Sequence, residues 1–441
     1  FNVWFYYYYS ISAAQSDTTL EDRLGALQCH FTWDLDPSRF DLFCIRDMLQ
    51  DIGTDEGNKW LGHIYNLQGY VHFQLGSIEE ARSFFSRAAE AFRQMRGADE
   101  GPWLVVTYGN QAWLHHRQGE QAESLACLSK VDGLMTEHPS QEELHPEICA
   151  EKAWTLMKFS TEKRLLAADY FQRAIRMQPD MVEWQTMYVL VLVHVSKHSE
   201  GVEADIMEKL RQATEQDPEN LYLAVIYLQQ LAKKGQIDKC RARELATKVL
   251  MNPASSYGGL KPLLRFYRAY ISIDEALALA EDALKKHPEE RYLKRCVGLS
   301  CKWKIWSEKC PDPSMIKKGI CVHEELISLY PDSCFKKKID LANIYSKSED
   351  TLAKCEEIFQ QLLADDLDPP ERQVLFNHYA KHLFFMCQQS ERSIEYHMKV
   401  VEIPNESFYQ KDSIKALEKI RYRKDNRRVD EFLVRLKMHQ K

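Results

Sequence analysis

The sequence is short of residues that interrupt regular structure or fasten an extracellular fold. Glycine and proline number 17 and 15 in 441 residues, too few for a fibrous or largely disordered chain. None of the 12 cysteines forms a CxxC pair. The densest group, Cys296, Cys301 and Cys310 with Cys321 and Cys334 after it, lacks the close pairs of a cysteine zinc site. Reduced, mostly buried cytosolic thiols are expected, and no metal. No apolar run reaches 18 residues, so no membrane-spanning helix and no membrane partner are expected. The phosphate loops GxxxxGKS, GxxxxGKT and GxGxxG are missing, as is the metalloprotease motif HExxH. His115 and His116 are adjacent on a predicted helix and face different ways, so they cannot share one metal. Neither an enzyme nor a cofactor is expected. Surplus charge is small, −7 overall, which gives no general pull toward nucleic acid. A polyanion would have to be met by a local cluster of Lys and Arg.

What is present is a repeat. Pro218, Pro253 and Pro288 are spaced 35 residues apart, with Pro179 standing 39 before the first and Pro331 standing 43 after the third. Tetratricopeptide repeats of about 34 residues end their second helix just before such a proline, which cannot continue it. Small residues fall in register. In residues 62–95 they are Gly69, Ala81 and Ala88, with Phe85 as the aromatic. The unit ending at Pro179 has Ala153, Ala167 and Ala174 with Phe171, and the unit ending at Pro288 has Ala276, Ala280 and Ala283. Small side chains let two antiparallel helices approach, and the aromatic fills the gap beside them. Degenerate units follow at 104–131, 335–363 and 374–401. The stretches 196–204 and 306–314 read as longer loops.

The expected fold is therefore all-α, a right-handed superhelix of about eight or nine helix–turn–helix pairs with a concave inner wall. The reading divides it into 20–145, a central 146–331 with a basic groove, and 332–441. Residues 1–9 are aromatic and uncharged, without the basic region of a signal peptide. Residues 1–19 are read as a disordered extension or a gene-model artefact.

The first helix of each pair faces inward, on positions following the 3.6-residue period. Those positions hold Trp154 and Lys158, then His194, then Lys261, Arg265 and Arg268, then Arg295 and Lys302. None of these groove positions is acidic. A positive groove in an acidic protein asks for an anionic ligand. Arginine offers planar donors suited to phosphate, and tryptophan can stack on a base. Residues 411–441 carry eleven Lys and Arg against five Asp and Glu. Lys415, Lys419 and Tyr422 share one helical face there. They either close the groove or form a solvated terminal helix.

The motifs Cys29-His30-Phe31-Thr32-Trp33, Tyr65-Asn66-Leu67, Tyr108-Gly109-Asn110-Gln111-Ala112-Trp113, Trp154-Thr155-Leu156-Met157-Lys158 and Phe266-Tyr267-Arg268 come in this order. Together they resemble the interferon-induced proteins with tetratricopeptide repeats, a vertebrate antiviral family. The resemblance runs from about residue 20 to 423. It implies a cytoplasmic protein of innate immunity. Such a protein captures the 5′ end of single-stranded foreign RNA, as a triphosphate or a cap lacking 2′-O-methylation, in a positive central tunnel and blocks its translation. The implied protein partners are related family members or translation factors.

Carried over by position, Trp154 matches a cap-stacking tryptophan and Lys158 a phosphate-contacting lysine. Arg265 and Arg268 lie on the basic segment facing the RNA backbone. Asn220 and Tyr222 match a pair near the terminal nucleotides. Arg46 and Gln50 resemble a polar pair near the terminal phosphates, after a one-residue shift. There are departures. His194 stands for a tunnel arginine, and is expected to be largely neutral at pH 7 unless paired with phosphate. Arg164 stands for a ribose-contacting tyrosine, and Arg295-Cys296 for a His-Gln pair. A tyrosine before Phe266 is replaced near Pro262. Phosphate binding should survive these changes more readily than ribose or base recognition. The competing reading is a tetratricopeptide scaffold that acts through protein–protein interactions without recognising RNA ends.

Overall fold

The computed structural model describes residues 19–53, 58–98, 100–140, 142–196, 204–252, 255–424 and 427–439. Among them, twenty-two α-helices and short 3-10 turns account for the regular structure, with no strand. All but the last residue of the expected 1–19 extension, most of the 196–204 loop and Pro253 lie outside the described residues.

The chain forms two compact units, residues 1–271 and 272–441. The division falls inside residues 146–331, expected from the sequence to form one central subdomain. In the first unit α1 (Leu20–Gly25) and α2 (Arg39–Ile52) precede helix pairs. These are α3–α4 (Leu61–Gln74, Ile78–Arg96), α5–α6 (Val105–Arg117, Gln121–Glu137), α7–α8 (Pro146–Leu156, Thr161–Met177), α9–α10 (Val182–Val195, Ala204–Gln216) and α11–α12 (Leu221–Lys233, Lys239–Met251). The unit ends with α13 (Leu260–Tyr270). The second unit opens on α14 (Ile273–Lys286). It continues with α15–α16 (Arg291–Ser307, Pro313–Leu329), α17–α18 (Phe335–Tyr345, Leu352–Ala364), α19–α20 (Pro369–Phe385, Ser390–Glu402) and α21–α22 (Phe408–Lys424, Arg427–His439).

The proline rule has a simple local form. Pro179, Pro218, Pro288 and Pro331 each stand two residues beyond the last residue of α8, α10, α14 and α16. The small residues work as expected. A Cβ on Gly69 would sit 2.4 Å from Phe85 Cε1, and one on Gly62 2.6 Å from Phe92 Cε2. Ala81, Phe85, Ala88, Ala153, Ala167, Phe171 and Ala174 are all fully buried. The 306–314 loop is shorter than the sequence suggested, because α15 runs to Ser307 and α16 starts at Pro313.

The motifs behind the family resemblance are mostly internal fasteners. The His30 amide donates to Asn110 Oδ1 at 3.1 Å, and the Asn110 amide meets His30 Nδ1 at 3.1 Å. Thr155 Oγ1 lies 3.1 Å from His30 Nε2. Trp113 Nε1 donates to the Leu24 carbonyl at 3.1 Å. Three separate motifs are thus joined through one buried imidazole. Burial holds its pKa down to about 3, so it stays neutral. Asn66 makes a second fastener, donating to Thr107 Oγ1 at 2.9 Å and to Glu151 Oε1 at 2.7 Å. Burial also raises the Glu151 carboxyl to about 8.

Most of the described cysteines are buried. His115 and His116 have separate acidic neighbours, Glu120 at 2.5 Å and Glu21 at 3.9 Å. No helix among the described residues is long and apolar enough to cross a membrane.

Candidate functional site

A cavity of about 500 Å³ opens in the first unit. Its wall is assembled from the ends of several helices rather than from one face. The α7 helix stops at Leu156, and Lys158 follows in the turn, its amide bonded to the Thr155 carbonyl at 2.9 Å. His194 occupies the last turn of α9, with Nδ1 2.7 Å from the Leu190 carbonyl. Asn220 is the N-cap of α11. Its Oδ1 accepts from the Leu223 amide at 3.0 Å and its Nδ2 donates to Asp217 Oδ2 at 2.9 Å. Capping fixes that side chain at the cavity edge, because a helix start needs an acceptor there. Tyr222 follows two residues on, in the first turn of α11. Lys158, Arg164, His194, Asn220 and Tyr222 all line this one cavity.

Its far wall is a loop that no periodicity announces. The Ser256 amide donates to the Asp51 carbonyl at 2.8 Å, and Ser255 Oγ to the Ile52 carbonyl at 2.5 Å. This fastens residues 255–258 to the end of α2 and swings Tyr257 inward. Lys158 Nζ donates to Tyr257 Oη and lies 4.3 Å from the Trp154 ring centroid. Desolvation in this wall, and then the Arg164 charge, push the Lys158 pKa down to about 7. Burial raises the phenol of Tyr257, and also that of Tyr222, where the Arg265 charge opposes it.

Several sequence expectations change here. Trp154 does not line the cavity: it is fully buried. Trp60 stacks on it at 5.8 Å and 11°. A base would have to displace Lys158 or Tyr257 to reach it. Nor is the wall purely cationic, since Glu183, Asp217 and Glu219 line it beside Lys59. These acids sit at helix starts and turns, outside the groove register that the repeat period tracks.

Arg46 and Gln50 are not among the lining residues. The Arg46 guanidinium meets Asp47 at 3.2 Å, and Gln50 is exposed. On α13, Arg265 and Arg268 are exposed and Lys261 half-buried, outside the cavity lining.

In the second unit, Lys302 bridges to Asp340 at 2.8 Å. Asp340 belongs to α17, the first helix of the next pair. Arg295 lies 6.0 Å from the Tyr330 ring centroid. Lys415, Lys419 and Tyr422 form an exposed face of α21. Trp60, Lys59, Met48 and Tyr257 are lining residues that the sequence reading did not single out. For Trp60 an aromatic just before the first repeat was a usable signal. For Tyr257 there was none.

Residues 60–131 match the tetratricopeptide repeat family. The antiviral innate immune response effector IFIT1 of Homo sapiens is 25% identical over 438 residues, covering 95% of this chain and 91% of that protein. The interferon-induced protein with tetratricopeptide repeats 2 of Mus musculus is 24% identical over 423 residues, covering 93% of this chain and 88% of that protein. Among solved structures, a monomeric mutant of IFIT1 with Gppp-AAAA aligns at TM-score 0.71 and 25% identity, covering 92% of this chain and 91% of that one. The human IFIT1 dimer with PPP-AAAA aligns at TM-score 0.69 and 25% identity, covering 95% of each chain.

Proposed function

We propose that this chain is a divergent member of the interferon-induced proteins with tetratricopeptide repeats, and that it is an antiviral RNA-binding protein of innate immunity. Its ligand is the 5′ end of single-stranded foreign RNA, held in the first-unit cavity and thereby kept from translation. The observation that carries this reading is convergence. Lys158, His194, Asn220 and Tyr222 come from three separate helix pairs and line one cavity of about 500 Å³. Structures of IFIT1 with PPP-AAAA and Gppp-AAAA support the choice of ligand.

In this reading Lys158 and Arg164 meet the terminal phosphates. His194 adds a donor, and a proton when phosphate lies beside it. Asn220 and Tyr222 contact the first nucleotide. Arg265 and Arg268 are exposed on α13 and attract the following backbone through charge. A 5′-triphosphate suits the site better than a cap, because Trp154 is covered and the cations remain. Glu183, Asp217 and Glu219 repel phosphate and limit how far the RNA can lie against that side of the wall.

The test is a gel-shift series on one RNA sequence carrying a 5′-triphosphate, a cap without 2′-O-methylation, or a 5′-hydroxyl. The triphosphate should bind most tightly, and affinity should fall with salt. Equal, weak binding of all three would sink RNA-end recognition. It would leave the scaffold reading, checked by partners that survive nuclease treatment and an Arg265→Glu change.

A further inference from the structure

The second unit holds a group of metal-ligating side chains that RNA capture does not use. α18 supplies Glu356 and α19 supplies His382. After α19 ends at Phe385, Gln388 takes a left-handed conformation (φ 56). The Cys387 amide donates back to the His382 carbonyl at 3.3 Å. That turn returns the thiol to the imidazole five residues earlier. His382 Nε2 then lies 3.3 Å from Cys387 Sγ and 3.2 Å from Glu356 Oε2. One ligand atom from each residue falls within 4.8 Å of the others.

Two features favour a cation over a simple hydrogen-bonded triad. First, the same ring nitrogen faces both the thiol and the carboxylate. A neutral imidazole nitrogen is either donor or acceptor, so it serves one partner well and the other poorly. For Cys387 to act as a nucleophile activated by this pair, its thiol would have to face the nitrogen opposite the carboxylate, but that nitrogen, Nδ1, faces Cys355 Sγ. A cation at the shared focus satisfies all three. In tetrahedral zinc geometry the N–O and N–S ligand pairs lie about 3.4 and about 3.6 Å apart, close to the spacings found.

Second, the ligands are oriented from behind. Glu356 Oε1 accepts from Tyr379 Oη at 2.8 Å and Gln360 Nε2 at 2.7 Å, which leaves Oε2 toward the histidine. His382 Nδ1 lies 3.4 Å from Cys355 Sγ, which holds the ring in place. Such outer partners are a regular part of metal sites. His382 is buried, and the group opens on a cavity of about 360 Å³. The cavity gives an entry path and room for water as a fourth ligand.

We propose that Glu356, His382 and Cys387 form a site for a borderline-soft divalent cation, with zinc as the preferred ion and water completing the shell. Binding would release the Cys387 thiol proton to solvent, leaving thiolate, carboxylate and imidazole on the metal. The site lies within the second unit and is independent of the RNA reading.

The experiment titrates Co2+ into the metal-stripped, reduced full chain, followed by optical spectroscopy, with Zn2+ displacing it afterwards. One equivalent should give a thiolate-to-cobalt charge-transfer band with tetrahedral ligand-field absorption, abolished by stoichiometric Zn2+. Cys387→Ser should remove the band and weaken Zn2+ binding at least 100-fold, and Glu356→Gln should weaken it about 10–100-fold. Cys310→Ser, at an exposed cysteine, should change neither. Circular dichroism of each variant separates misfolding from ligand loss. The partly exposed Cys387 provides a readout even if a His382 variant fails to fold. Absence of the band in the parent chain, or its persistence in folded Cys387→Ser, overturns the proposal.

Discussion

Lys158 donates its Nζ to the hydroxyl of Tyr257, 99 positions away, while lying 4.3 Å from the ring centroid of Trp154. The lysine is held between two aromatic groups, and its proton is loosened to a pKa of about 7. An anion beside it would favour the charged form and raise that pKa again. Anion binding is then linked to proton uptake. Affinity is full below about pH 7 and declines as pH rises above it.

For RNA carrying a 5′-triphosphate, the dissociation constant should rise between pH 6.5 and 8.5 at constant salt. Lys158→Met should weaken binding about 10–100-fold, the range for losing a hydrogen bond to a charged group. It should also flatten the pH profile, which fluorescence anisotropy would measure. Arg164, close enough to depress Lys158, and Lys59 and His194 on the same wall are the other basic groups that bear on this profile. A profile unchanged in Lys158→Met would show that Lys158 does not carry the titration.

Asn220 has two roles, and two substitutions separate them. Asn220→Ser keeps an oxygen for the Leu223 amide, and its stability should stay within about 0.5 kcal/mol of the parent. Asn220→Ala loses the cap at a cost of about 1 kcal/mol. Both delete the side-chain amide at the cavity. RNA affinity should therefore fall alike in the two, while urea midpoints differ.

Glu151 offers a stability test with a definite sign. Its folded pKa, about 8, lies above the ordinary carboxyl value of 4.5. The neutral acid is thus favoured in the fold. Its contribution is complete below pH 4.5 and is lost as pH rises through 8. Glu151→Gln should stabilise the chain on the order of 2 kcal/mol at pH 8 and little at pH 5. Thermal melts at the two pH values check it, and equal shifts would contradict the assigned protonation.

Gly69→Ala would place a methyl 2.4 Å from the fully buried Phe85 ring. It should destabilise by about 1–3 kcal/mol through overpacking, although alanine in a helix is otherwise favoured by about 1 kcal/mol. Gly133→Ala, with nothing within 4 Å of its Cβ, should show the opposite sign. Chemical denaturation of the pair measures the difference directly.

The helix pairs were legible in the sequence because each carries its own evidence. Phe85 fills the space that Gly69 leaves, and Pro179 stops what α8 begins. Lys158, His194, Asn220 and Tyr222 could be placed near one another because the repeat fixes their helices. Tyr257 could not, since it lies in a loop whose position depends on carbonyls of Asp51 and Ile52 about 200 residues away. Trp154 looked available because it sits at an inward position. Its burial depends on Trp60, which precedes the first repeat. The pairing of Lys302 with Asp340 required knowing how one helix pair is set against the next.

The bond from Ser256 to Asp51 also has a bearing on how the chain matures. Each helix pair closes contacts between near neighbours and can form while the rest is still being synthesised. The cavity cannot, because its last wall joins positions about 200 residues apart. A nascent chain that has emerged only as far as α12 would hold its helices but lack Tyr257 and the partner of Lys158. Ligand competence should therefore arrive late and abruptly, after a largely helical chain already exists.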